Sequence, residues 1–550
     1  MKIVLVFSPF VEPTYIPIGI AQLKSYVEKQ IPSAYIRTLD FNNTFFNNLT
    51  KKYFWNHYKE LCEICPKNDK NHRCDRQVYF TGGQESYTFG AHCAHDAEGE
   101  RFYDLTTYNL FVQEITRSFT CWNDCFSAVA KDVIEDKCPV PVALEKMLEP
   151  YVQRILSEKP DLVGFSIFCG MQLSYSLLLA RILREKTGLP IIFGGAVMAH
   201  VNVCEFLEVF DYVDFALAKE GEIGLGELAR NFKNKKFEKV PGLFYRKKNK
   251  IYHNAEKYLE DLDNLPFPDF DDYDLQHYFS PVPVLPLISS RGCYWRNCTF
   301  CSYSKSYPRP YKIKSIPRLI EELRYFSSRG IKYFMIDDDI ISATHLCAIS
   351  NALTKEKIKV YFGAITRPEK SFSHEALECI YRAGGRLLLW GVESNNERIL
   401  QLMQKGTHSD DIELLLQNAA QIGFTNHCFM IVGFPTQTVQ EIANDLRFLL
   451  KNKDVVSFHL HGFLLKKGSY IFNNLQEFGI VATEETPVFT RHKKSFYDDS
   501  VMFKSSLKLD WKKIKTACEQ LERLFLNNRF QNTGHAHALI LASKNKKVML

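Results

Sequence analysis

The sequence predicts an α/β protein with two domains in series: a Rossmann-like, doubly wound parallel sheet over residues 1–235, then a partial (β/α)6 barrel over residues 284–475. Two observations predict it. Short apolar runs of β-formers alternate with helix-length stretches in both regions, the pattern of parallel strands joined by crossover helices. Between the two series lies a segment, 236–283, whose end is rich in Pro and Asp and favours extended backbone. The remainder, 476–550, loses the rhythm and reads as a small C-terminal cap or substrate-facing appendage.

In the first domain, Ile3 to Phe7 is a strand, Ile18 to Lys29 a helix, and Leu162 to Ile167 a strand apolar throughout, as expected for a parallel strand buried on both faces. Leu173 to Lys186 is a helix. Ile191 to Phe193 is a strand ending at Gly194-Gly195, and Tyr212 to Leu217 a strand closing on Glu220-Gly221-Glu222. An insertion from about 44 to 150, aromatic and rich in Asn, Cys and His, interrupts this series. A hairpin-like piece surrounds Gly242-Leu243-Phe244-Tyr245 in the linker.

In the second domain the strand candidates are Val284–Ser289, Tyr333–Asp337, Val360–Thr366, Arg386–Val392, Thr425–Val432 and Phe458–Leu464. Helices such as Ile316–Arg329 and Asp410–Ile422 fall between them. Six βα units make an open relative of the closed eight-fold barrel. Lys508–Asn527 reads as an amphipathic helix.

Hydrophobic residues are 46% and charged residues 24% of the 550, so core material is ample for several domains. A net charge of +6 is mildly basic over this length and too weak to argue for nucleic acid by itself, so a nucleic-acid partner is not expected. The basic stretch Arg491, Lys493, Lys494, Lys504, Lys508 reads as a solvated face. No apolar run reaches the ~18–20 residues of a membrane span, and the apolar start lacks a signal-peptide cleavage site, so a cytoplasmic location is expected. Sixteen cysteines then point to thiolate–metal chemistry rather than disulfides.

The strongest motif is Arg291-Gly292-Cys293-Tyr294-Trp295-Arg296-Asn297-Cys298-Thr299-Phe300-Cys301, directly after the first barrel strand. Barrels place their chemistry at the C-terminal ends of strands. Three thiolates on a [4Fe-4S] cluster leave one iron open to a substrate or cofactor. The competing reading is a structural zinc site with a distant fourth ligand.

This segment resembles the cluster loop of the radical S-adenosylmethionine (AdoMet) superfamily, with Cys-x4-Cys-x2-Cys in place of the usual Cys-x3-Cys-x2-Cys. The resemblance implies that Cys293, Cys298 and Cys301 hold a [4Fe-4S] cluster and that AdoMet chelates its open iron. Phe300 then matches the aromatic lying against the adenine. Asp337 and Asp338 end the second strand, where polar groups meet the AdoMet amine. Gly391-Val392-Glu393-Ser394, with Arg398 and Lys405-Gly406, resembles the "GVES" segment contacting ribose and carboxylate. Gly433-Phe434-Pro435 with Glu441 resembles a "G-x-P-x-E-T" turn, with Gln437 where Glu is usual.

Residues 1–235 are similar to the cobalamin-binding domain that precedes many such barrels. The matching pieces are Pro17-Ile18-Gly19-Ile20, Ser166 at the end of its strand, Gly194, Gly195, Glu220, Gly221 and Glu222. Glycine-rich turns after parallel strands let backbone N–H groups approach a ligand in the crevice at the strand ends. A nucleotide, or no ligand, is the alternative. The Asp-x-His-x-x-Gly loop of methionine synthase and the mutases is absent. The lower cobalt face would then meet Phe168, Cys169 or the 9–17 loop, with Cys169 either a ligand or a small buried hydrophobe. In the insertion, Cys62, Cys65 and Cys74 have zinc-like or second-cluster spacing, against unpaired thiols.

The family resemblance implies one-electron reduction of AdoMet to a 5′-deoxyadenosyl radical, with cobalamin as methyl carrier. The activity expected is C-methylation of an unactivated carbon in a peptide or other natural-product intermediate. An electron donor such as flavodoxin or ferredoxin, and no membrane, complete the expected partners. The alternatives are a cobalamin radical AdoMet enzyme that rearranges or cyclises its substrate, and a non-catalytic corrinoid carrier or sensor with a structural cluster. A tRNA methylthiotransferase is disfavoured, since no trio of cluster cysteines lies in the first domain.

Overall fold

The computed structural model of the chain describes residues 1–65, 122–248, 250–302, 311–506, 509–526 and 535–544. These fall into two compact units, Met1–Pro281 with Pro487–Asp498, and Val282–Thr486 with Asp499–Leu550.

The first unit is built on a seven-stranded sheet: β1 (Lys2–Phe7), β2 (Tyr35–Asp40), β3 (Leu162–Ser166), β4 (Ile191–Gly194), β5 (Phe215–Leu217), β6 (Leu243–Lys247) and β7 (Lys250–His253). Its order is β2-β1-β3-β4-β5-β6-β7, parallel from β2 to β5 and antiparallel beyond. Val4, Val6, Leu162 and Val163 are wholly buried, as a parallel sheet covered on both faces requires. The order reverses direction between β1 and β3, and that reversal opens the crevice where such sheets bind ligands. The strand expected over Tyr212–Leu217 is shorter, Phe215–Leu217.

The hairpin-like piece joins this sheet as β6 and β7. Residues after β7 are also tied to it: Asp272 accepts from Thr38 N at 2.9 Å and pairs with Lys24 at 3.0 Å, while Tyr278 OH donates to Asp40 at 2.5 Å. In the insertion, residues 66–121 lie outside the described set, and with them Cys74. The described part is helical, over Phe41–Asn48, Lys52–Glu63, residues 122–134 and Val142–Ser157. Its aromatic richness builds a core: Phe54 stacks on Trp122 at 4.8 Å and Phe126 on Tyr175 at 4.8 Å.

The second unit carries six parallel strands: β8 (Val284–Leu287), β9 (Tyr333–Ile341), β10 (Tyr361–Thr366), β11 (Gly385–Glu393), β12 (Thr425–Val432) and β13 (Val456–Gly462), neighbours in that order. Four of the helices between them begin at a Ser or Thr whose hydroxyl accepts the first-turn amide: Ser315, Ser342, Ser373 and Thr438. On β12, Asn426 donates to Leu416 O of helix Ser409–Ile422, so even-numbered positions face the helical layer. Odd-numbered positions face the other way, toward the C-terminal helix His535–Lys544, whose Ser543 reaches Tyr333 OH at 3.1 Å. Helix Trp511–Leu526 stands where the amphipathic helix is expected, although Lys508 lies outside the described residues. No helix among the described residues is long and apolar enough to cross a membrane.

One expectation is overturned here. Arg491 is not part of a solvated basic face: it is 9% exposed and belongs to the first unit. The hairpin of Phe489–Arg491 and Lys494–Phe496 seats Phe489 and Phe496 against Phe210, and Arg491 pairs with Asp136 at 2.6 Å and with Asp211. A charged run at a hairpin looks solvated throughout in sequence, but the phenylalanines of its two strands carry Arg491 inward while His492 and Lys493 at the tip stay exposed. Replacing Arg491 with Ala takes the cation from Asp211 and one of two from Asp136, which keeps Arg181 at 2.7 Å. Urea unfolding is expected to show a loss of about 1–2 kcal/mol, while Lys493→Ala on the same turn changes stability by less than about 0.5 kcal/mol.

Candidate functional site

The cysteine loop leaves β8 through Ser289 and Ser290, and a buried carboxylate from β9 fixes that exit. Asp338 accepts Ser289 N at 2.7 Å, Ser290 N at 2.9 Å and Ser290 Oγ at 2.7 Å, together with Ser289 Oγ. Burial lifts its carboxyl to about 6 despite these donors. The sequence marks Asp337 and Asp338 alike, but the structure separates them. Asp338 is engaged in positioning the loop; half-buried Asp337 makes no side-chain hydrogen bond or ion pair among the described residues.

Beyond Ser290 the loop borrows its order from residues 402–406. Thr299 N donates to Met403 O at 3.0 Å, Thr299 Oγ1 to Leu402 O at 2.8 Å, and Trp295 Nε1 to Gln404 O at 2.8 Å. Gly406, at φ +68°, has no room for a side chain: a Cβ there would lie 2.2 Å from the Trp295 ring. The Arg367 guanidinium, from the end of β10, lies 3.7 Å from the Trp295 ring centre and donates to Lys405 O at 2.7 Å. Phe300 packs with the buried group of Ile399, Met403, Phe434 and Ile471.

Cys293, Cys298 and Cys301 are each partly exposed on this loop. Burial pushes the Cys298 thiol up; Lys405 and Arg367 pull it down, and Glu393 and Cys293 push it up. Lys405 is itself buried and paired with Glu393 at 3.0 Å. Burial works against its charge, but Glu393 and the Cys298 thiolate more than offset that, so its pKa is raised. Glu393 sits at φ +68°, an unusual conformation for a side-chain-bearing residue. The geometry therefore gathers Cys298, Glu393, Lys405 and Arg367.

Ser394, Gly433 and Pro435 are organised by a residue the sequence does not single out. Asp445, 2% exposed on helix Val439–Lys451, accepts from Ser394 Oγ at 3.0 Å, Asn395 N at 2.6 Å, Asn396 Nδ2 at 2.9 Å and Gln437 Nε2 at 2.9 Å. Gln437 Oε1 in turn accepts Gly433 N at 2.8 Å. One carboxylate thus joins the loop after β11 to the turn after β12. It also explains Gln437, because a Glu there would set a second carboxylate against Asp445. Arg398 and Glu441 close the outer side with a two-point pair at 2.7 and 2.6 Å.

Three thiols on one short loop match soft iron–sulfur ligation. Among the described residues no three Cys, His, Asp or Glu side chains are already drawn into a metal-holding group. Thiols keep their protons until a metal displaces them, so ligand type and placement are the test, and the loop meets it. Of the other thiols, Cys65 is buried, while Cys74 and the Cys62 side chain lie outside the described residues.

In the first unit, the residues singled out by sequence stand at the carboxyl ends of neighbouring parallel strands: Ser166 and Cys169 at β3, Gly194 and Gly195 at β4, Glu220, Gly221 and Glu222 after β5. Gln172 fixes the turn after β3 by accepting Phe168 N at 2.6 Å and Cys169 N at 3.3 Å while donating to Ser8 O at 2.5 Å. Gly195, at φ +97°, would place a Cβ 2.5 Å from Ile167 O. Phe168, 44% exposed, stacks on Tyr15 at 4.8 Å, and Tyr15 on Phe7 at 5.6 Å. This aromatic stack at the β1/β3 switch point leaves the Phe168 ring exposed, an apolar surface suited to a planar macrocycle. Glu222 is buried, and Glu220 accepts Leu259 N at 3.3 Å. Cys169 Sγ donates to Phe10 O at 3.5 Å, and burial raises its thiol, as for an inert packed cysteine.

Asp445 titrates at about 7, lifted chiefly by burial, and this gives a pH test. Gln437→Glu is expected to cost about 2 kcal/mol at pH 8, where both carboxyls ionise. The cost falls as pH drops toward 5.5, where the pair holds a proton between them. Thermal melts at the two pH values check this; an equal loss at both would contradict it.

The comparisons with known proteins agree with this arrangement. Residues 287–449 match the model of the radical SAM superfamily. An uncharacterized methyltransferase of Pyrococcus horikoshii is 27% identical over 302 residues, covering 53% of this chain and 64% of that protein. The hopanoid C-3 methylase of Methylococcus capsulatus is 25% identical, covering 50% and 53%. The chain thus spans between half and two thirds of these relatives. The cobalamin-dependent AdoMet radical enzyme OxsB, solved with aqua-cobalamin and AdoMet, superimposes with a TM-score of 0.60 at 16% identity over 94% of this chain and 66% of that one. The radical AdoMet methyltransferase TsrM of Kitasatospora setae, solved with cobalamin and a [4Fe-4S] cluster, gives 0.60 at 13% identity over 94% and 90%. Residues 287–449 are therefore a radical SAM superfamily domain, set in a chain with the fold of cobalamin-dependent radical SAM enzymes.

Proposed function

We propose that this chain is a cobalamin-dependent radical AdoMet enzyme that methylates an unactivated carbon of a peptide or natural-product intermediate. The observation that carries the reading is the set of three thiols at the end of the first barrel strand, beside the Lys405–Glu393 pair. Methyl transfer is supported by the similar methyltransferases and methylase and by the aromatic ladder at the switch point of the first unit.

When bound, a reduced [4Fe-4S] cluster supplies the electron that cleaves AdoMet to a 5′-deoxyadenosyl radical, and cobalamin supplies the methyl group. The chain's own residues do the rest. Cys293, Cys298 and Cys301 hold the cluster, and Lys405 and Arg367 place positive charge beside it. Glu393 and half-buried Asp337 offer carboxylate oxygens to the AdoMet amine and ribose. Asp445 holds the Ser394 and Gly433 segments in register around the cofactor. Phe168, backed by Tyr15 and Phe7, would provide an apolar surface for the corrin, with no histidine required from the protein. A small reducing protein such as flavodoxin or ferredoxin would deliver the electron.

The test is product analysis on anaerobically purified protein reconstituted with iron, sulfide and hydroxocobalamin under strong reductant. Wild type is expected to release 5′-deoxyadenosine from AdoMet. The Cys293→Ala, Cys298→Ala, Cys301→Ala variant is expected to lose at least about 100-fold of that rate. An equal rate in both would overturn the reading. A full four-iron spectrum with no deoxyadenosine and retained cobalamin would favour a corrinoid carrier instead.

A further inference from the structure

Four histidines outside the machinery described above meet in the second unit. His427 and Phe429 lie on β12, His459 and His461 on β13. The register pairs His427 with Ser457, Phe429 with His459 and Ile431 with His461, so all share one face. It is the face turned away from the helical layer and toward helix His535–Lys544. That helix adds His535, whose ring centre is 6.3 Å from that of His427 and 6.0 Å from that of Phe429. The His459 and His461 rings stand 4.1 Å apart, tilted by 37°, with Phe429 6.2 Å from His461. The row runs from half-buried His427 to exposed His461 near the carboxyl end of its strand, where barrels place their chemistry.

Two features set this group apart from ordinary packing. His427 Nδ1 is held by Ser457 Oγ at 2.9 Å, but the ring nitrogens of His459 and His461 make no hydrogen bond or ion pair among the described residues. A half-buried imidazole such as His459, with donor and acceptor unused, is costly unless a ligand or water completes it. Second, two members of the group resist protonation. Burial, then the neighbouring histidines, pulls His427 down to about 3 and His461 down to about 4. Among the described residues no Asp, Glu or Cys joins them in a metal-holding group. The Lys405–Glu393 pair flanks Gly391, which pairs with Phe429, and its two charges are already matched to each other at 3.0 Å. What fits is a flat uncharged ring, stacked among five aromatic rings and hydrogen-bonded at its edge.

We propose that His427, Phe429, His459, His461 and His535 form the substrate subsite of the barrel and that it takes an uncharged aromatic or heteroaromatic group. This rests on the barrel being the reaction chamber, as proposed above. The imidazoles of His459 and His461 position the ring by hydrogen bonds from their ring nitrogens.

The test uses one ring in three charge states: indole, indole-3-carboxylate and 3-(aminomethyl)indole. Calorimetry is run on the reconstituted full chain, with histidine-selective carbon-13 NMR of the same protein. Indole is expected to bind most tightly and to shift the His459 and His461 signals. The His459→Phe, His461→Phe variant, which keeps the rings and removes the nitrogens, is expected to bind indole about tenfold or more weakly. Because the NMR mapping is done on wild type, it decides the matter even if the variant misfolds. No indole binding, shifts elsewhere, or preference for either charged probe overturns the proposal. AdoMet binding, measured separately in the same preparation, bears on the proposed function, whereas indole decides this inference whatever AdoMet does.

Discussion

The cysteine loop has little regular structure of its own, and its shape depends on hydrogen bonds to the carbonyls of Leu402, Met403 and Gln404. Nine residues carrying three cysteines offer few contacts with which to fix themselves, and each ordered residue costs about 1–2 kcal/mol of backbone entropy. Thr299 and Trp295 offset part of that cost by donating to a segment fixed by its own strand, β11. Gly406 makes the close approach sterically feasible. Asp338 does the same at the other end of the loop, gathering Ser289 and Ser290 before the first cysteine. The donor atoms are therefore placed by elements distant in sequence and near in space.

The same economy of buried charge runs through the neighbouring loops. Asp445 and the Lys405–Glu393 pair are taken out of water only because each is surrounded by partners. Removing any one partner leaves a desolvated group behind, which makes these networks specific rather than merely stabilising. They tie the ends of β11 and β12 to each other, where the proposed cofactor lies. The histidine row on β12 and β13 contrasts with them: it is built of aromatic rings in mutual contact, and among the described residues the ring nitrogens of His459 and His461 make no hydrogen bond.

The α/β class was legible because buried parallel strands are written as continuous apolar runs. Thr425–Val432 has the same bounds in sequence and structure, and Ile3–Phe7 differs from its strand by one residue. The three cysteines were legible because soft ligands on one short loop after a strand have few other uses. Asp445 was not legible: on an amphipathic helix between Asn444 and Leu446 it looks like a surface acid, and only the fold turns it toward Ser394 and Gln437. Arg367 carries no local signal either, since its role depends on Trp295 some seventy residues earlier in the chain. Arg491 misled, because charge in sequence does not reveal that neighbouring phenylalanines draw this one residue of the hairpin inward. The histidine row was missed because alternation across two strands becomes a cluster only once their register is known.

The central claim is that Cys293, Cys298 and Cys301 leave one iron of a four-iron cluster open to AdoMet. Electron paramagnetic resonance of the reduced, reconstituted protein, recorded with and without AdoMet, tests it most directly. The account predicts a reduced [4Fe-4S]⁺ signal whose g-values shift on adding AdoMet and which is absent from the triple-cysteine variant. A four-iron signal indifferent to AdoMet, or one that survives loss of the three cysteines, would contradict it.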